Sequence, residues 1–266
     1  MCYGSKPVVN SKGGVDWIPN DDFNRMYKFG EIELREDGYH YAKETIGGFF
    51  WRNGRIEVAP MRWDLVPRDY RQRENLTLAE MIKKKNSRAK DPDNPGRKIG
   101  FDSYNARVET VANLFSFKSP WREGLRMATP ILGFKERPNM EGAPEEFRGR
   151  EYEVLLDEAA YLAGIYDVWR NEKGEKLESC SILTMDSLGN DRIRAIWHER
   201  TPIILRESQV QEWLDPLTTP QRAMAMFKLY PADRMEVKEV IKAPKVAKAT
   251  GGTKAPGGAE QIDLAL

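Results

Sequence analysis

The segments EYEVLL (residues 151–156), YLAGIYDVW (residues 161–169) and SCSILTM (residues 179–185) decide the fold of this chain. Each is short, rich in β-branched and aromatic residues, and bounded by polar residues, which predicts three β-strands. Working outward, three further segments have the same composition: RIEVAPMRW (residues 55–63), RMATPILGF (residues 126–134) and TPIIL (residues 201–205). The sequence therefore predicts a protein built mainly on a β-sheet.

Helical patterns are fewer and are scattered between these strands. They occur at TLAEMIKKK (residues 77–85), ESQVQEWL (residues 207–214) and TPQRAMAMF (residues 219–227). Pro220 falls in the first turn of the last one, where its missing N–H costs nothing. Strands with irregularly placed helices predict an α+β fold, and we expect one domain with a mostly antiparallel, barrel-like sheet and peripheral helices.

The composition excludes several classes of protein. With 266 residues, 40% hydrophobic and 31% charged, the chain is long enough for a self-sufficient core, and 42 basic against 41 acidic residues leave no global charge to indicate a partner. Two cysteines and two histidines predict neither a disulfide framework nor a metal site, and we expect no cofactor. No stretch is typical of a signal peptide or a membrane span, so we expect a cytoplasmic monomer without a membrane partner.

The composition changes at the end of the chain. Residues 1–241 are typical of a folded domain, whereas residues 242–266 begin with a run of Lys, Ala, Pro, Gly and Thr. Such a segment cannot bury enough apolar surface to offset its ordering entropy, so we expect a disordered basic tail.

Cys2 can have unusual reactivity because it follows the initiator methionine. Removal of Met1 would leave a 1,2-aminothiol, whose amine titrates at about 7.7–8.0 and whose thiol titrates at about 8.5 in unperturbed peptides. An aldehyde forms a Schiff base with such an amine, and the thiol then closes a five-membered thiazolidine ring. Position alone favours a simpler interpretation, in which residue 2 is merely small.

An ordered series of motifs resembles one known family. The segments are Cys2, MRWDLVP (61–67), NARVET (105–110), GFKE (133–136), AGIYDVW (163–169), SILTMDS (181–187) and IWHERTPIIL (196–205). Together they resemble the SOS response-associated peptidase (SRAP) family of abasic-site processing proteins. The resemblance implies a protein of the DNA damage response that crosslinks to abasic sites in single-stranded DNA and carries AP-lyase or autopeptidase activity. We expect the protein to be bacterial or phage-encoded.

The resemblance also implies catalytic roles for four residues. Cys2 would be the nucleophile, and Asn105 would position the opened sugar. Glu136 would act as acid and base beside the Cys2 amine, and His198 would shuttle a proton. A carboxylate and an imidazole suit the proton transfers of imine formation.

Three further residues would contact DNA. Arg107 and Arg200 would each hold a backbone phosphate, since the guanidinium fork is bidentate and always charged. Trp63 could stack on a base. Binding through phosphates would be indifferent to sequence and sensitive to salt.

Simpler interpretations of the same residues stay open. Asn105 could be a turn residue, and Glu136 could be solvated next to its loop. Arg107 could pair with Glu109 on the surface, or Glu109 could orient it. His198 and Arg200 could pair with Glu199, Trp63 could belong to the core, and Cys180 is expected to pack there.

The chain departs from the family pattern at several positions. Gly-Arg usually follows the nucleophile, but Tyr3 and Gly4 stand here. Two aromatic neighbours of the glutamate are replaced by Lys135 and Arg137, and a glycine after the tryptophan is replaced by Asp64. The DNA contacts are therefore expected to differ more than the chemistry at Cys2.

The last six residues, QIDLAL, are similar to the peptide that binds the bacterial sliding clamp. Gln261, Leu264 and Leu266 would occupy the clamp pocket, and the preceding tail would act as a leash. A chance match is the alternative, because short motifs are common.

Two rival functions remain at this stage. One is an N-terminal-nucleophile cysteine peptidase in which Cys2 and His198 form a thiol–imidazole pair. The other is a catalytically inactive single-stranded DNA-binding module that has kept the fold.

Overall fold

A computed structural model describes residues 2–8, 20–28, 30–92, 95–96 and 98–241. Its strands are β1 Gly4–Pro7, β2 His40–Tyr41, β3 Thr45–Arg52, β4 Arg55–Trp63, β5 Asn105–Arg107, β6 Arg126–Glu136, β7 Tyr152–Arg170, β8 Lys176–Asp186, β9 Arg200–Pro202, β10 Ile204–Leu205 and β11 Met235–Glu239. Its α-helices are α1 Asn20–Lys28, α2 Leu78–Lys85, α3 Lys118–Arg122, α4 Asp191–Ala195, α5 Glu207–Leu214 and α6 Pro220–Ala225. The mixed α/β architecture predicted from the sequence is confirmed.

The sheet is ring-like. β6 pairs with β7, β7 with β8, β8 with β4, β4 with β3, and β3 again with β6, so five strands form a closed cycle of pairings. β1 extends the sheet from β6 and carries β2 on its other edge. The pairings within described residues are antiparallel, apart from β4 and β5, which both run parallel to β8. The prediction of a mostly antiparallel sheet is therefore confirmed.

Strand β7 joins two segments that the sequence predicts as separate strands. The residues between them, from Asp157 to Ala159, are exposed, whereas the flanking parts of the strand alternate or are buried. Opposite them, the register of β6 shifts between Ile131 and Gly133, so the extra residues bulge outward without breaking the pairing. The polar interruption marks a bulge in one long strand rather than a loop.

The predicted helices form where their capping residues allow. Thr77 caps α2 and forms a capping box with Glu80. Thr219 caps α6, and Pro220 occupies its first turn as predicted. No helix among the described residues is long and apolar enough to cross a membrane.

Side chains from both halves of the chain meet in one buried core cluster. Cys2, Trp63 and Cys180 belong to one buried cluster together with residues of β3, β6, β7 and β8. Cys180 packs as predicted, since it is fully buried and free. The tail of residues 242–266, with Gln261, Leu264 and Leu266, lies outside the described residues.

Candidate active site around Cys2

Cys2 lies two residues before the first strand and is fully buried. Its Sγ donates a weak hydrogen bond to the carbonyl oxygen of Gly4 at 3.6 Å. Its own carbonyl oxygen accepts a hydrogen bond of 2.7 Å from Nδ2 of Asn105. Asn105 therefore holds the backbone of the predicted nucleophile, and the alternative of a self-contained turn residue is wrong.

Asn105 is positioned by the sheet itself. It begins β5, which pairs in parallel with β8 so that Asn105 lies opposite Ile182. The residue before it, Tyr104, receives hydrogen bonds on its carbonyl oxygen from the indole of Trp63 at 2.8 Å and from the Ile182 amide at 2.9 Å. The Asn105 side chain therefore projects from a backbone segment that is held by hydrogen bonds from Trp63 and Ile182.

Glu136 and His198 form a buried pair. Glu136 ends β6 and is fully buried, and His198 precedes β9 and is 1% exposed. Nε2 of His198 lies 3.1 Å from Oε2 of Glu136. Nδ1 of His198 lies 2.6 Å from the carbonyl oxygen of Arg137. The alternatives of a solvated Glu136 and of a His198–Glu199 pair are both wrong.

The hydrogen-bond partners of His198 decide which of its two ring nitrogens carries the hydrogen. Because a carbonyl oxygen can only accept, Nδ1 of His198 carries the hydrogen and Nε2 is left as an acceptor. Burial raises the pKa of Glu136 to about 8 and lowers the pKa of His198 to about 3. These shifts favour a protonated Glu136 carboxyl beside a neutral imidazole at neutral pH, an arrangement in which one proton can move between the two side chains.

The pair lies beside the nucleophile. β1 runs antiparallel to β6, and its first residue, Gly4, lies opposite Lys135, the neighbour of Glu136. Burial raises the pKa of the Cys2 thiol well above its usual value, and ionisation of the nearby Glu136 carboxyl raises that pKa further. The structure thus brings together the four residues predicted to be catalytic, namely Cys2, Asn105, Glu136 and His198.

A family profile described as SOS response associated peptidase (SRAP) matches residues 28–247 of this chain. The chain belongs to the SRAP family. It is 30% identical over 152 residues to the abasic site processing protein YoqW of Bacillus subtilis, covering 56% of this chain and 65% of that protein. It is also 30% identical over 182 residues to the abasic site processing protein HMCES of Rattus norvegicus, covering 59% of this chain and 45% of that protein.

Solved structures share the architecture. A Bordetella bronchiseptica protein superposes with a TM-score of 0.63 at 19% identity, covering 91% of this chain and all of that one. A Bacteroides thetaiotaomicron protein superposes with a TM-score of 0.56 at 25% identity, covering 78% of this chain and 79% of that one. The match to the SRAP profile begins after Cys2, so the place of Cys2 in the site rests on the geometry above.

The arginines of this SRAP protein are arranged differently from the sequence-based expectation. Arg107 is half exposed, and its guanidinium lies 3.4 Å from Glu199 rather than pairing with Glu109. Both terminal nitrogens of Arg200 contact the Glu109 carboxylate at 2.8 Å, and one also donates to the carbonyl oxygen of Thr184 at 2.7 Å. The Arg200 side chain is 7% exposed. Arg107 can reach a phosphate, whereas Arg200 binds Glu109 and Thr184, and its role as a phosphate ligand stays a prediction.

Trp63 is fully buried, and its indole N–H donates a hydrogen bond to the carbonyl oxygen of Tyr104. The prediction that it stacks on a base is therefore corrected, because no face of the ring is open to a nucleotide. Trp63 acts instead through the backbone that carries Asn105. Large aromatic residues mostly bury, and the core alternative was the right one.

An exposed apolar pair near Arg107 was missed by the sequence reasoning. Leu114 and Phe115 are 48% and 49% exposed, and the ammonium of Lys118 lies 5.9 Å from the Phe115 ring centroid. The chain between them is a series of turns in which Thr110 bonds back to Arg107 and Leu114 bonds back to Thr110. Their composition, NLFSF, looks like core sequence, so no local signal distinguishes them from buried residues.

Asp64, which stands where the family usually has glycine, forms a buried ion pair. Its Oδ1 accepts a hydrogen bond of 2.9 Å from Nζ of Lys85 and one of 2.8 Å from the backbone N–H of Ser103. Lys85 also donates to the carbonyl oxygen of Phe101 and lies 4.2 Å from the centroid of that ring. The pair fastens the segment that leads directly into Asn105.

Among the described residues, no group of three or more His, Cys, Asp or Glu side chains could hold a metal ion. The described residues do contain a cleft of about 960 Å³ between Gly30 and Thr45. It is lined largely by carboxylates, including Glu31, Glu33 and Glu36. Such a lining repels phosphate, so this cleft is unsuited to DNA.

Proposed function

We propose that this SRAP protein binds single-stranded DNA and, once Met1 has been removed, forms a covalent thiazolidine link between Cys2 and an abasic site. The names of its relatives, abasic site processing proteins, give the substrate class. The observation that carries the proposal is the arrangement at the first strand. Asn105 holds the backbone of Cys2, and Glu136 and His198 form a buried pair that can exchange one proton.

The reaction needs two proton transfers that this pair can make. The Cys2 amine adds to the C1′ aldehyde of the opened sugar, and the carbinolamine oxygen leaves as water after it takes the proton from Glu136. The thiol then adds to the same carbon of the iminium, the nitrogen keeps its remaining hydrogen, and the thiol proton returns to Glu136. The net change is one aldehyde plus one aminothiol giving one thiazolidine and one water.

The environment suits aldehyde chemistry better than peptide hydrolysis. A cysteine peptidase needs a thiolate, which is favoured by a nearby cation or a protonated imidazole. Here burial raises the pKa of Cys2, and burial keeps His198 neutral. Imine formation instead needs a neutral amine and a proton donor, and Glu136 with a pKa of about 8 supplies the donor.

The DNA strand is expected to run past Arg107 and the exposed pair Leu114–Phe115. Arg107 is half exposed and can exchange Glu199 for a phosphate at small cost, because an exposed ion pair is weak. Phe115 offers an aromatic face and Lys118 a second cation within the same short segment. Stacking and phosphate contacts of this kind bind single strands with little dependence on sequence.

The proposal also covers what happens to the crosslink after it forms and which protein this chain binds. Reversal of the crosslink would use Glu136 in the opposite direction, and strand cleavage by β-elimination would use His198. The C-terminal peptide with Gln261, Leu264 and Leu266 would bind a bacterial sliding clamp. A pulldown in which Leu264→Ala binds the clamp as well as the unchanged protein does would refute that last part.

The first experiment is denaturing gel electrophoresis of the processed protein with a single-stranded oligonucleotide that carries one abasic site. The unchanged protein should give a heat-stable shifted band, and Cys2→Ala should give none. Cys180→Ala is the matched control, since Cys180 is the other cysteine and is equally buried. It should crosslink like the unchanged protein.

An adduct of the same yield with Cys2→Ala would show that another group is the nucleophile. Absence of any adduct from protein shown by mass spectrometry to lack Met1 would overturn the crosslinking function. Cleavage of peptide substrates that depends on Cys2 would then favour the peptidase.

A further inference from the structure

We infer that Arg137 is a positioning residue that couples the strand of the nucleophile to His198. The inference rests on the proposed crosslinking function and concerns the geometry of that same site. Arg137 follows Glu136 directly and replaces an aromatic residue of the family pattern. Its side chain contacts Tyr3, the residue after the nucleophile, and its backbone contacts His198.

The side chain of Arg137 holds the residue after the nucleophile. Its guanidinium carbon lies 4.4 Å from the ring centroid of Tyr3, which is stacking distance for a cation on an aromatic face. Tyr3 is half-buried, and the next residue, Gly4, begins β1. Tyr3 is covalently joined to Cys2, so a Tyr3 side chain held in place restricts the backbone positions open to Cys2.

The guanidinium of Arg137 also binds the carboxylate of Glu151. Nη2 and Nε of Arg137 donate to Oε2 of Glu151 at 2.7 Å and 3.2 Å. The Glu151 side chain is 5% exposed, and its other oxygen lies 3.6 Å from Nζ of Lys135. A guanidinium that binds one buried carboxylate through two nitrogens has little rotational freedom. The plane of the Arg137 guanidinium, which stacks on the Tyr3 ring, is therefore fixed.

The backbone of Arg137 orients the proton carrier. Its carbonyl oxygen accepts from Nδ1 of His198 at 2.6 Å, and this bond leaves Nε2 directed at Glu136. One residue thus sets the orientation of the imidazole and the position of the nucleophile's neighbour. Because reacting groups displaced by about 1 Å can lose about 10²-fold in rate, such coupling is visible in kinetics.

The test is Arg137→Lys, which keeps the charge near Glu151 but lacks the flat fork that stacks on Tyr3. Single-turnover crosslinking to an abasic single strand is followed with protein in excess over DNA. We expect the rate constant at saturating protein to fall about tenfold. The half-saturating protein concentration and the final yield should stay unchanged.

Arg148→Lys is the matched control because the Arg148 side chain is 70% exposed and lies 2.7 Å from Glu145, an exposed neighbour on its own turn. It should react like the unchanged protein. If Arg137→Lys lowered only the final yield, the residue would serve folding alone. If it raised only the half-saturating concentration, the residue would contact DNA. An unchanged rate constant in either case overturns the inference.

These results are separable from failure of the proposed function. If the unchanged, Met1-free protein forms no adduct, the crosslinking function itself is wrong. If it forms the adduct and Arg137→Lys does so at the same rate, only the positioning role is wrong.

Discussion

Replacing Glu136 by glutamine should make the protein less sensitive to rising pH. The carboxyl of Glu136 is fully buried, and burial raises its pKa from 4.5 to about 8. A carboxyl whose pKa is higher in the folded than in the unfolded state prefers to ionise in the unfolded chain. The free energy of unfolding therefore falls as pH rises from 4.5 toward 8 and stays lowered above that range.

The magnitude follows from the two pKa values. A difference between about 8 and 4.5 corresponds to about 5 kcal/mol of lost stability above pH 8, as an upper limit for this one group. Glutamine does not ionise, and its amide can donate to Nε2 of His198 as the protonated carboxyl does. Glu136→Gln should therefore match the unchanged protein near pH 4.5 and exceed it by several kcal/mol at pH 8.5.

The assay is urea unfolding of both proteins at pH 4.5 and pH 8.5. Glu145→Gln is the control because its side chain is 79% exposed, and it should change little at either pH. A stability difference between Glu136→Gln and the unchanged protein that is equal at both pH values would refute the reasoning. The same variant should lose about 10²–10⁴-fold in crosslinking rate, since its amide cannot exchange a proton.

Three further predictions concern the nucleophile, the DNA and the fold. Asn105→Ala removes the donor to the Cys2 carbonyl oxygen and should slow single-turnover crosslinking by about 10²-fold, with unchanged affinity for intact single strands. Arg107→Ala should weaken binding to an intact single strand and, in titrations by fluorescence anisotropy, lower the dependence of log K on log salt by about 0.7. Lys85→Met leaves Asp64 buried without its cation and should lower the free energy of unfolding by about 3–5 kcal/mol in urea titrations, whereas a loss below about 1 kcal/mol would contradict the role of the pair.

Much of the fold could be predicted because it depends on local patterns. The segment at residues 55–63 coincides with β4, and that at residues 207–214 coincides with α5. The long strand β7 could not be predicted as one element, since the polar residues that interrupt it are accommodated by a shift in the register of β6. That shift is a property of the pairing of two strands distant in sequence.

The candidate site shows the same division. The identities of Cys2, Asn105, Glu136 and His198 follow from the motif series, but the pairing of His198 with Glu136 depends on the packing of β6 against the chain before β9. The family resemblance assigned Arg200 to a phosphate, and residue type alone suggested that Trp63 stacks on a base. Their burial against Glu109 and Tyr104 could not be inferred without the tertiary structure.

The measurement that tests the account most directly is mass spectrometry of the adduct formed with an abasic single strand without any reductant. The account predicts a peptide that begins at Cys2 and carries the sugar remnant with the loss of one water, and its thiol should resist alkylation. A plain imine would need reduction to survive digestion, whereas a thiazolidine would not. An adduct found on a lysine, or a Cys2 peptide whose thiol is still free, would contradict the account.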